Sequence, residues 1–139
     1  ETYEMTITIE IHGYFTTNPD RVSQMLDFCD SPWLKMNLDT GNSFIAGLDP
    51  VEYCKRFRKY LAHAHIKDVS ESLAAALRGE ETGIGSSQVP IGGGVNADNI
   101  RKVFEFLAET DWDGVVSIEC HGSDENTEAS VKYMQGVVG

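Results

Sequence analysis

The chain has 139 residues, of which 41% are hydrophobic, so it is long and apolar enough for one domain with its own core. Its formal charge of -11 repels phosphate backbones, which argues against a nucleic-acid partner, and no segment is apolar enough to span a membrane. Three cysteines without metal-type spacing favour reduced thiols and a cytoplasmic location. The first residue is Glu1 rather than methionine, which predicts processing or a fragment.

The first two units of the chain are each a strand followed by a helix. Residues 5–12 alternate between apolar and polar side chains, and Asn18 with Pro19 then predicts a helix N-cap followed by proline. The second strand is predicted over residues 33–39, with a turn over residues 40–43. Asp49 with Pro50 repeats the helix-start signal, so the alternation of strand and helix continues.

A longer connection follows the third strand, which is predicted over residues 61–69. Residues 70–95 contain a short helical run, residues 71–78, and a glycine-rich stretch, residues 83–94. Backbone N–H groups of such a stretch can cradle phosphate, but the stretch matches neither the P-loop nor the dinucleotide fingerprint. We therefore favour a lid over a site, or a plain long connection.

The last unit repeats the earlier pattern. Asn96 is predicted to cap a helix, and residues 115–121 are predicted to form the fourth strand. A final helix is predicted over residues 124–138, with an inner face made of Ala129, Tyr133 and Val137.

In every predicted strand, one of the two alternating sets of side chains contains a residue type that binds metals, near the C-terminal end of the strand. Strand side chains point alternately to opposite faces, so the apolar set of each strand faces a core while the polar set faces away. A water-facing sheet would show the same alternation, but it does not require a ligand type at the same end of four strands. We therefore predict one site, in register, from Glu10, Asp39, His65 and Glu119.

Strands that alternate with helices predict a parallel α/β sheet. A doubly wound sheet has strands that are apolar on both faces, whereas these strands carry polar ends, which favours the mouth of a closed (β/α) barrel of TIM type. A whole barrel takes roughly 250 residues, so we expect residues 1–139 to be one domain that supplies about the last four β/α units. We expect the missing strands to be supplied by an absent N-terminal half, by a second copy or by another subunit.

Five strings in this order resemble the second half of xylose-isomerase-like barrels, and more narrowly the sugar phosphate isomerase/epimerase group. They are Ile-Glu-Ile-His-Gly, Leu-Asp-Thr-Gly-Asn, His-Ala-His-Ile-Lys-Asp, Pro-Ile-Gly-Gly-Gly and Gly-Val-Val-Ser-Ile-Glu. The resemblance implies a divalent metal, commonly manganese, held by Glu10, Asp39, His65 and Glu119. The alternation of apolar and polar side chains in the four strands selects the same four residues.

Four residues beside the predicted ligands are candidates for contact with the substrate. Many family members have a histidine three residues after the aspartate, where this chain has Asn42, whose amide can bind a sugar hydroxyl but does not titrate. His12 and His121 either contact substrate or are exposed loop residues, and Lys67 either binds a substrate oxygen or pairs with Asp68. His63 is expected to pack beside the ligands rather than bind metal.

The ligand set predicts a reaction class. Three carboxylates and an imidazole suit Mn²⁺, Mg²⁺ or Co²⁺, and such an ion acidifies a C–H group beside a sugar carbonyl. Glu10 and Glu119 would then exchange protons with an enediolate, which predicts an isomerase or epimerase of a sugar, a sugar phosphate or a keto-sugar without an organic cofactor. The alternatives are a non-catalytic half-barrel that serves as an assembly partner and an abasic-site nuclease, which the charge and the four histidines disfavour.

Overall fold

The computed structural model describes residues 3–79 and 84–139. Its sheet has four parallel strands that neighbour one another in chain order. They are β1 (Ile7–Glu10), β2 (Leu34–Asp39), β3 (Leu61–Ile66) and β4 (Val115–Ile118). The parallel sheet confirms the predicted alternation, although β1, β3 and β4 end two to three residues earlier than the sequence pattern indicated.

Seven α-helices connect and follow the strands in the described residues. Asn18 and Asp49 accept backbone N–H groups at the starts of two of these helices, as predicted. The predicted turn over residues 40–43 is wrong, because a short helix begins there directly after β2. The helices are α1 (Gly13–Thr16), α2 (Pro19–Cys29), α3 (Thr40–Ile45), α4 (Pro50–Phe57), α5 (Glu71–Leu77), α6 (Ala97–Glu109) and α7 (Asp124–Val138).

The core lies on the apolar face of the sheet. Met36 and Leu38 of β2 pack in one cluster with residues of α2, α4 and α6, and Ala64 and Ile66 of β3 pack in a second cluster with α6 and α7. The helices therefore cover the apolar face of the sheet and leave its polar face free for a site. This arrangement is what the alternation in the sequence predicted.

The inner face of α7 is rotated from the predicted one. Ser130 and Met134 are buried, Tyr133 and Val137 are half-buried, and Ala129 is exposed. The Ser130 hydroxyl accepts a hydrogen bond from the backbone N–H of Ile91 at 2.9 Å, which holds this polar residue against the loop. A hydrophobicity pattern does not register a buried serine, so the prediction placed the helix one residue out of phase.

The strands are staggered rather than level. Asp39 pairs directly with His65, but Glu10 pairs with Asn37, and His65 pairs with Ser117 rather than Glu119. The expectation that the four site residues lie in register is therefore wrong for β1 and β4. Such a stagger accompanies the tilted strands of a barrel, because closure of a sheet requires a shear between neighbouring strands.

A β-bulge sets the phase of β3. Met36 pairs with Leu61 and Asn37 pairs with His63, which leaves Ala62 as an extra residue. The bulge lets Leu61 point into the core while His63 points to the polar face. The indole N–H of Trp112 donates to the Leu61 carbonyl at 2.8 Å and so pairs a backbone acceptor beside the bulge.

The structure describes the state of the cysteines and the length of the helices. All three cysteines are free, and burial raises the pKa of the Cys54 thiol to about 12. No helix among the described residues is long and apolar enough to cross a membrane. The cytoplasmic location stays a prediction.

The outer strands expose apolar side chains. Ile7 of β1 is 67% exposed and Val115 of β4 is 61% exposed. Phe28 of α2 is 90% exposed, and its face of the helix belongs to an apolar surface shared with Tyr14, Phe15 and Met25. Unpaired outer strands with apolar neighbours are ready-made surfaces for another β/α unit.

We predict that this chain, expressed alone, is not a well-behaved monomer, because these outer strands pair with a second copy or another partner. Light scattering is expected to show oligomers or aggregates. A variant with Ile7→Lys and Val115→Lys should shift the population toward the monomer, since lysine on outer strands opposes edge pairing. A sharp monomer peak for the parent, together with cooperative unfolding, would contradict the prediction.

Candidate functional site

Four ionisable side chains meet at the C-terminal ends of the strands. Glu10 ends β1, Asp39 ends β2, His65 lies next to the end of β3, and Glu119 directly follows β4. One oxygen or nitrogen atom from each of them lies within 4.8 Å of the others. The structure thus brings together all four residues that the sequence analysis selected, and their role as metal ligands stays a prediction.

His65 links the two glutamates. Its Nδ1 atom lies 3.2 Å from Glu10 Oε1 and 3.5 Å from Glu119 Oε2. Side chains from β1, β3 and the end of β4 therefore converge on one point although the strands are staggered. The stagger places Glu119 two residues beyond the partner of His65, and the length of the glutamate side chain spans that offset.

The two carboxylate oxygens of Asp39 have different partners, one in the backbone of α3 and one in the site. Oδ1 accepts the backbone N–H groups of Gly41 and Asn42, both at 2.8 Å, and so caps α3. Oδ2 is buried without a hydrogen bond and lies 3.3 Å from Lys67 Nζ. Burial raises the pKa of the Asp39 carboxyl to about 7, although the Lys67 ammonium works to lower it.

Lys67 supplies a buried positive charge. Its Nζ atom lies 2.7 Å from Glu119 Oε1 and donates to Asn42 Oδ1 at 3.0 Å. Burial works to lower the pKa of Lys67, but the charges of Asp39 and Glu119 outweigh burial and raise it. Burial likewise works to raise the pKa of Glu119, but the hydrogen bond and charge of Lys67 outweigh it and lower the pKa. The predicted alternative that Lys67 pairs with Asp68 is wrong.

Glycine at position 41 makes room for this lysine. A Cβ atom on Gly41 would lie 2.5 Å from Lys67 Cγ, closer than two carbon atoms approach without displacement. The Lys67 stem therefore passes over the start of α3 on its way into the site. A side chain at position 41 would therefore displace Lys67 from the site. A search for ionisable residues does not reveal this steric requirement.

The donor set fits a divalent cation. Ligand bonds of roughly 2.0–2.6 Å place opposite donors about 4–5 Å apart, and the 4.8 Å limit of this cluster agrees with that span. Carboxylate oxygens and one imidazole are the donors that hard and borderline ions prefer. The buried Asp39 Oδ2 atom is paired with the Lys67 ammonium and accepts no backbone N–H group, so its remaining lone pairs can face such an ion.

The three residues with predicted substrate contacts besides Lys67 surround the cluster. His12 Nδ1 lies 3.7 Å from Glu10 Oε1, and His121 Nε2 lies 3.8 Å from Glu119 Oε1. Both rings are about half exposed, whereas Asn42 is fully buried. All of them lie beside the site, and their contact with a substrate stays a prediction.

His63 packs beside the candidate ligands, as expected. Its ring lies edge-on to the His65 ring with centroids 4.8 Å apart, and its Nε2 atom lies 2.7 Å from Ser117 Oγ. Burial and the neighbouring His65 lower the pKa of His63. The residue is outside the group of four, and its ring packs against that of His65.

The glycine-rich stretch binds an anion of the chain itself. Asp68 Oδ2 accepts the N–H groups of Gly92 and Gly94 at 2.9 Å, and Oδ1 accepts those of Val69 and Asn96 at 2.8 and 3.0 Å. The phosphate-cradle interpretation is therefore wrong for these two glycines. Sequence reasoning missed the role of Asp68, although an aspartate next to a site lysine and a later glycine run are the signals that would have indicated it.

Asn96 joins the same buried network without capping α6 through its side chain. Its amide donates to the Thr40 carbonyl at 2.9 Å, and the Thr40 hydroxyl donates to the Lys67 carbonyl and accepts the Lys67 N–H, both at 3.0 Å. The backbone of Lys67 is therefore held between α3 and the loop before α6. Residues 80–83 of the predicted lid lie outside the described residues, and the lid stays a prediction.

The chain is similar to known proteins over almost its whole length. The family model of the xylose isomerase-like TIM barrel matches residues 1–137. An inosose dehydratase of Clostridium botulinum is 25% identical over 123 residues, which cover 84% of this chain and 40% of that enzyme. The chain therefore spans less than half of the length of this relative.

Solved structures have the same fold. The crystal structure of a probable 3-DHS dehydratase from Bacillus anthracis, involved in petrobactin synthesis, matches with a TM-score of 0.70 and 25% identity, covering 96% of this chain and 49% of that chain. A 3-keto-D-glucoside 4-epimerase from E. coli matches with a TM-score of 0.66 and 14% identity, covering 95% of this chain and 45% of that chain, which is a likeness of fold alone.

Replacing Asp68 by asparagine is predicted to destabilise the fold. Whichever way the amide turns, its NH₂ group faces backbone N–H donors, and each buried donor left unpaired costs about 1–3 kcal/mol. We expect the free energy of unfolding to fall by about 2 kcal/mol or more, measured in urea at one protein concentration. The exposed Asp27→Asn is the control and should change it by less than about 0.5 kcal/mol. Equal effects of the two substitutions would refute the importance of the hydrogen bonds to Asp68.

Proposed function

The chain belongs to the family of xylose isomerase-like TIM barrels, and we propose that it is the metal-binding half of an enzyme that removes a proton beside the carbonyl of a sugar or keto-sugar. The four-stranded sheet is half of such a barrel, as the sequence predicted, and the chain is similar to sugar-processing enzymes. One observation carries the proposal. Four donors converge at the C-terminal ends of four adjacent strands, where barrel enzymes carry their active sites.

The proposed cofactor is Mn²⁺, and Mg²⁺ and Co²⁺ suit the same donors. Glu10, Asp39, His65 and Glu119 are the proposed ligands, because they combine three carboxylates with one imidazole. When bound, the ion would withdraw electron density from a substrate carbonyl and acidify the adjacent C–H group.

Glu10 and Glu119 are the proposed acid and base. Lys67 holds Glu119 as a carboxylate that can accept a proton from the carbon beside the carbonyl, which leaves an enediolate. In an epimerisation, Glu10 in its acid form returns a proton to the opposite face of the same carbon. In an isomerisation it returns the proton to the former carbonyl carbon, and the hydroxyl proton on the first carbon moves to the former carbonyl oxygen. The Lys67 ammonium is close enough to both glutamate and aspartate to stabilise negative charge as it develops.

Polar side chains around the cluster are the proposed contacts of the substrate hydroxyls. His12 and His121 flank the two glutamates, and Asn42 lies between His12 and Lys67. Hydroxyl groups of a sugar, phosphorylated or free, find both donors and acceptors in this set. The same side chains offer no apolar surface for a large hydrophobic substrate.

A second candidate reaction is dehydration, because two of the similar proteins are described as dehydratases. The first step is the same transfer of a proton from carbon to a glutamate. The hydroxyl on the next carbon then leaves with a proton from the acid residue, so that water is lost and a carbon–carbon double bond forms. Both reactions use the same groups and differ in whether the intermediate is reprotonated or expels water.

A complete pocket requires the rest of the barrel. We propose that an N-terminal half or a second copy of this chain pairs with the exposed outer strands. The proposed partners are therefore further β/α units and a small sugar. A half-barrel that only assembles with another protein is the non-enzymatic alternative. An abasic-site nuclease is disfavoured by the charge of -11.

We predict that His65→Ala and Glu119→Gln each weaken Mn²⁺ binding at least tenfold, because each removes a donor; supporting contacts alone are worth about 10–100-fold. The matched control is His63→Ala, which removes a neighbouring imidazole of β3 that lies outside the group of four. This variant should retain most of the bound metal, as measured by titration and by metal analysis of the purified protein. Equal losses in all three variants, or no metal in the parent, would exclude the assignment.

The proton transfer makes a second prediction for the assembled protein loaded with Mn²⁺. Incubation with a panel of ketoses and keto-sugars in D₂O should place deuterium on the carbon beside the carbonyl, as read by NMR. Glu119→Gln should abolish the exchange even where some metal remains, because an amide does not accept the proton.

The products separate the candidate reactions. Reprotonation without loss of mass indicates isomerisation or epimerisation, whereas loss of one water in the mass spectrum indicates dehydration. Full turnover without solvent exchange would point to a hydride shift or a shielded proton relay. If neither exchange nor turnover occurs with any sugar, the result favours the alternative that the chain is a non-catalytic assembly partner.

A further inference from the structure

Asn42 is a fully buried amide between two of the side chains that surround the site. Its Oδ1 atom accepts a hydrogen bond from Lys67 Nζ at 3.0 Å, and its Nδ2 atom lies 3.2 Å from His12 Nε2. Its backbone N–H donates to Asp39 Oδ1 at 2.8 Å. One residue at the start of α3 thus contacts three residues of the site, which lie at or just beyond the ends of β1, β2 and β3.

The chemistry of these partners fixes the direction of each hydrogen bond. A lysine ammonium has only donors, so the amide must present its oxygen to Lys67. Its NH₂ group then faces His12 Nε2, which must accept. An imidazole that accepts at Nε2 carries its proton on Nδ1, and this Nδ1–H faces Glu10 Oε1 at 3.7 Å.

These contacts connect the two glutamates along one path. It runs from Glu119 through Lys67, Asn42 and His12 to Glu10, with separations of 2.7, 3.0, 3.2 and 3.7 Å. The steps from Lys67 to Asn42 and from Asn42 to His12 each have a donor that faces an acceptor. Asn42 accepts from the ammonium of Lys67 and donates to the imidazole of His12, so it connects the charged side chain to the neutral ring.

We propose that Asn42 is a positioning residue, which holds Lys67 against Glu119 and holds His12 in the tautomer that accepts at Nε2. The description of these side chains as reacting or substrate-contacting groups depends on the proposed function; the hydrogen bonds themselves do not. Aspartate at this position would accept from Lys67 but would not donate to His12. Leucine would have a similar shape and make neither bond.

Modification of histidine by diethyl pyrocarbonate tests the proposal, because the reagent attacks an unprotonated ring nitrogen. His121 is the internal reference, since its side chain is 51% exposed and that of His12 is 46% exposed. The full chain is treated in chelator at a pH well above the ordinary histidine pKa of about 6.5, and the two rates are followed by mass spectrometry of peptides. In the parent we expect His12 to react about threefold to tenfold more slowly, which is the factor that one net hydrogen bond corresponds to.

Two variants break the path at different points. Asn42→Leu should raise the rate at His12 to that of His121, and Lys67→Met should raise it in part, because the amide is then free to turn. Asn99→Leu is the control and should leave the ratio unchanged, because the Asn99 amide donates to Asn96 Oδ1 at 2.9 Å and contacts neither Asn42 nor His12 among the described residues. An effect of Lys67 on His12 is not expected if Asn42 serves only to fill space.

The outcomes separate this inference from the proposed function. Equal rates at His12 and His121 in the parent would overturn it even if Asn42→Leu fails to fold, and so would an unchanged His12 rate in a folded Asn42→Leu. If the parent binds Mn²⁺ but His12 is unprotected, only the positioning role fails. If His12 is protected but no Mn²⁺ binds, the hydrogen-bonded path is supported and the metal-dependent function fails.

Discussion

The carboxylate of Asp39 is the interaction on which the arrangement of the site depends. One oxygen caps α3 and the other points into the cluster of candidate ligands, so the same group starts a helix and presents a donor. Burial of this charge is costly, and the Lys67 ammonium at 3.3 Å offsets part of the cost. The helix cap, the buried lysine and the missing side chain at Gly41 are therefore consequences of placing one carboxylate where water does not reach.

Two consecutive residues at the end of β3 connect the site to the loop behind it. Lys67 points among the candidate ligands, and Asp68 points the other way, into the backbone N–H groups of the loop before α6. Alternation along an extended chain produces this division. Because Thr40 and Asn96 also hold the backbone of Lys67, the position of the ammonium is fixed from both α3 and the loop.

The four candidate ligands could be predicted from the sequence because a strand has a period of two and each residue stands at the same end of its strand. The register could not, since the shear between strands depends on how the sheet curves and not on any one strand. The turn after Asp39 was mistaken because Thr40, Gly41 and Asn42 are poor helix formers, and the cap by Asp39 outweighs that preference. The partners of Asp68 were missed because they are backbone groups some 24 to 28 positions away, which side-chain patterns do not describe.

The placement of the whole donor set on four adjacent strands has an evolutionary consequence. Recombination at the outer side of β1 would exchange the remaining wall of the barrel as one block and leave every candidate ligand in place. New substrates could then be acquired by replacing one half of the pocket, while the proposed acid–base groups and the lysine beside them are inherited intact. Under the proposed function, a domain built in this way separates the residues that supply the chemistry from the residues that select the substrate.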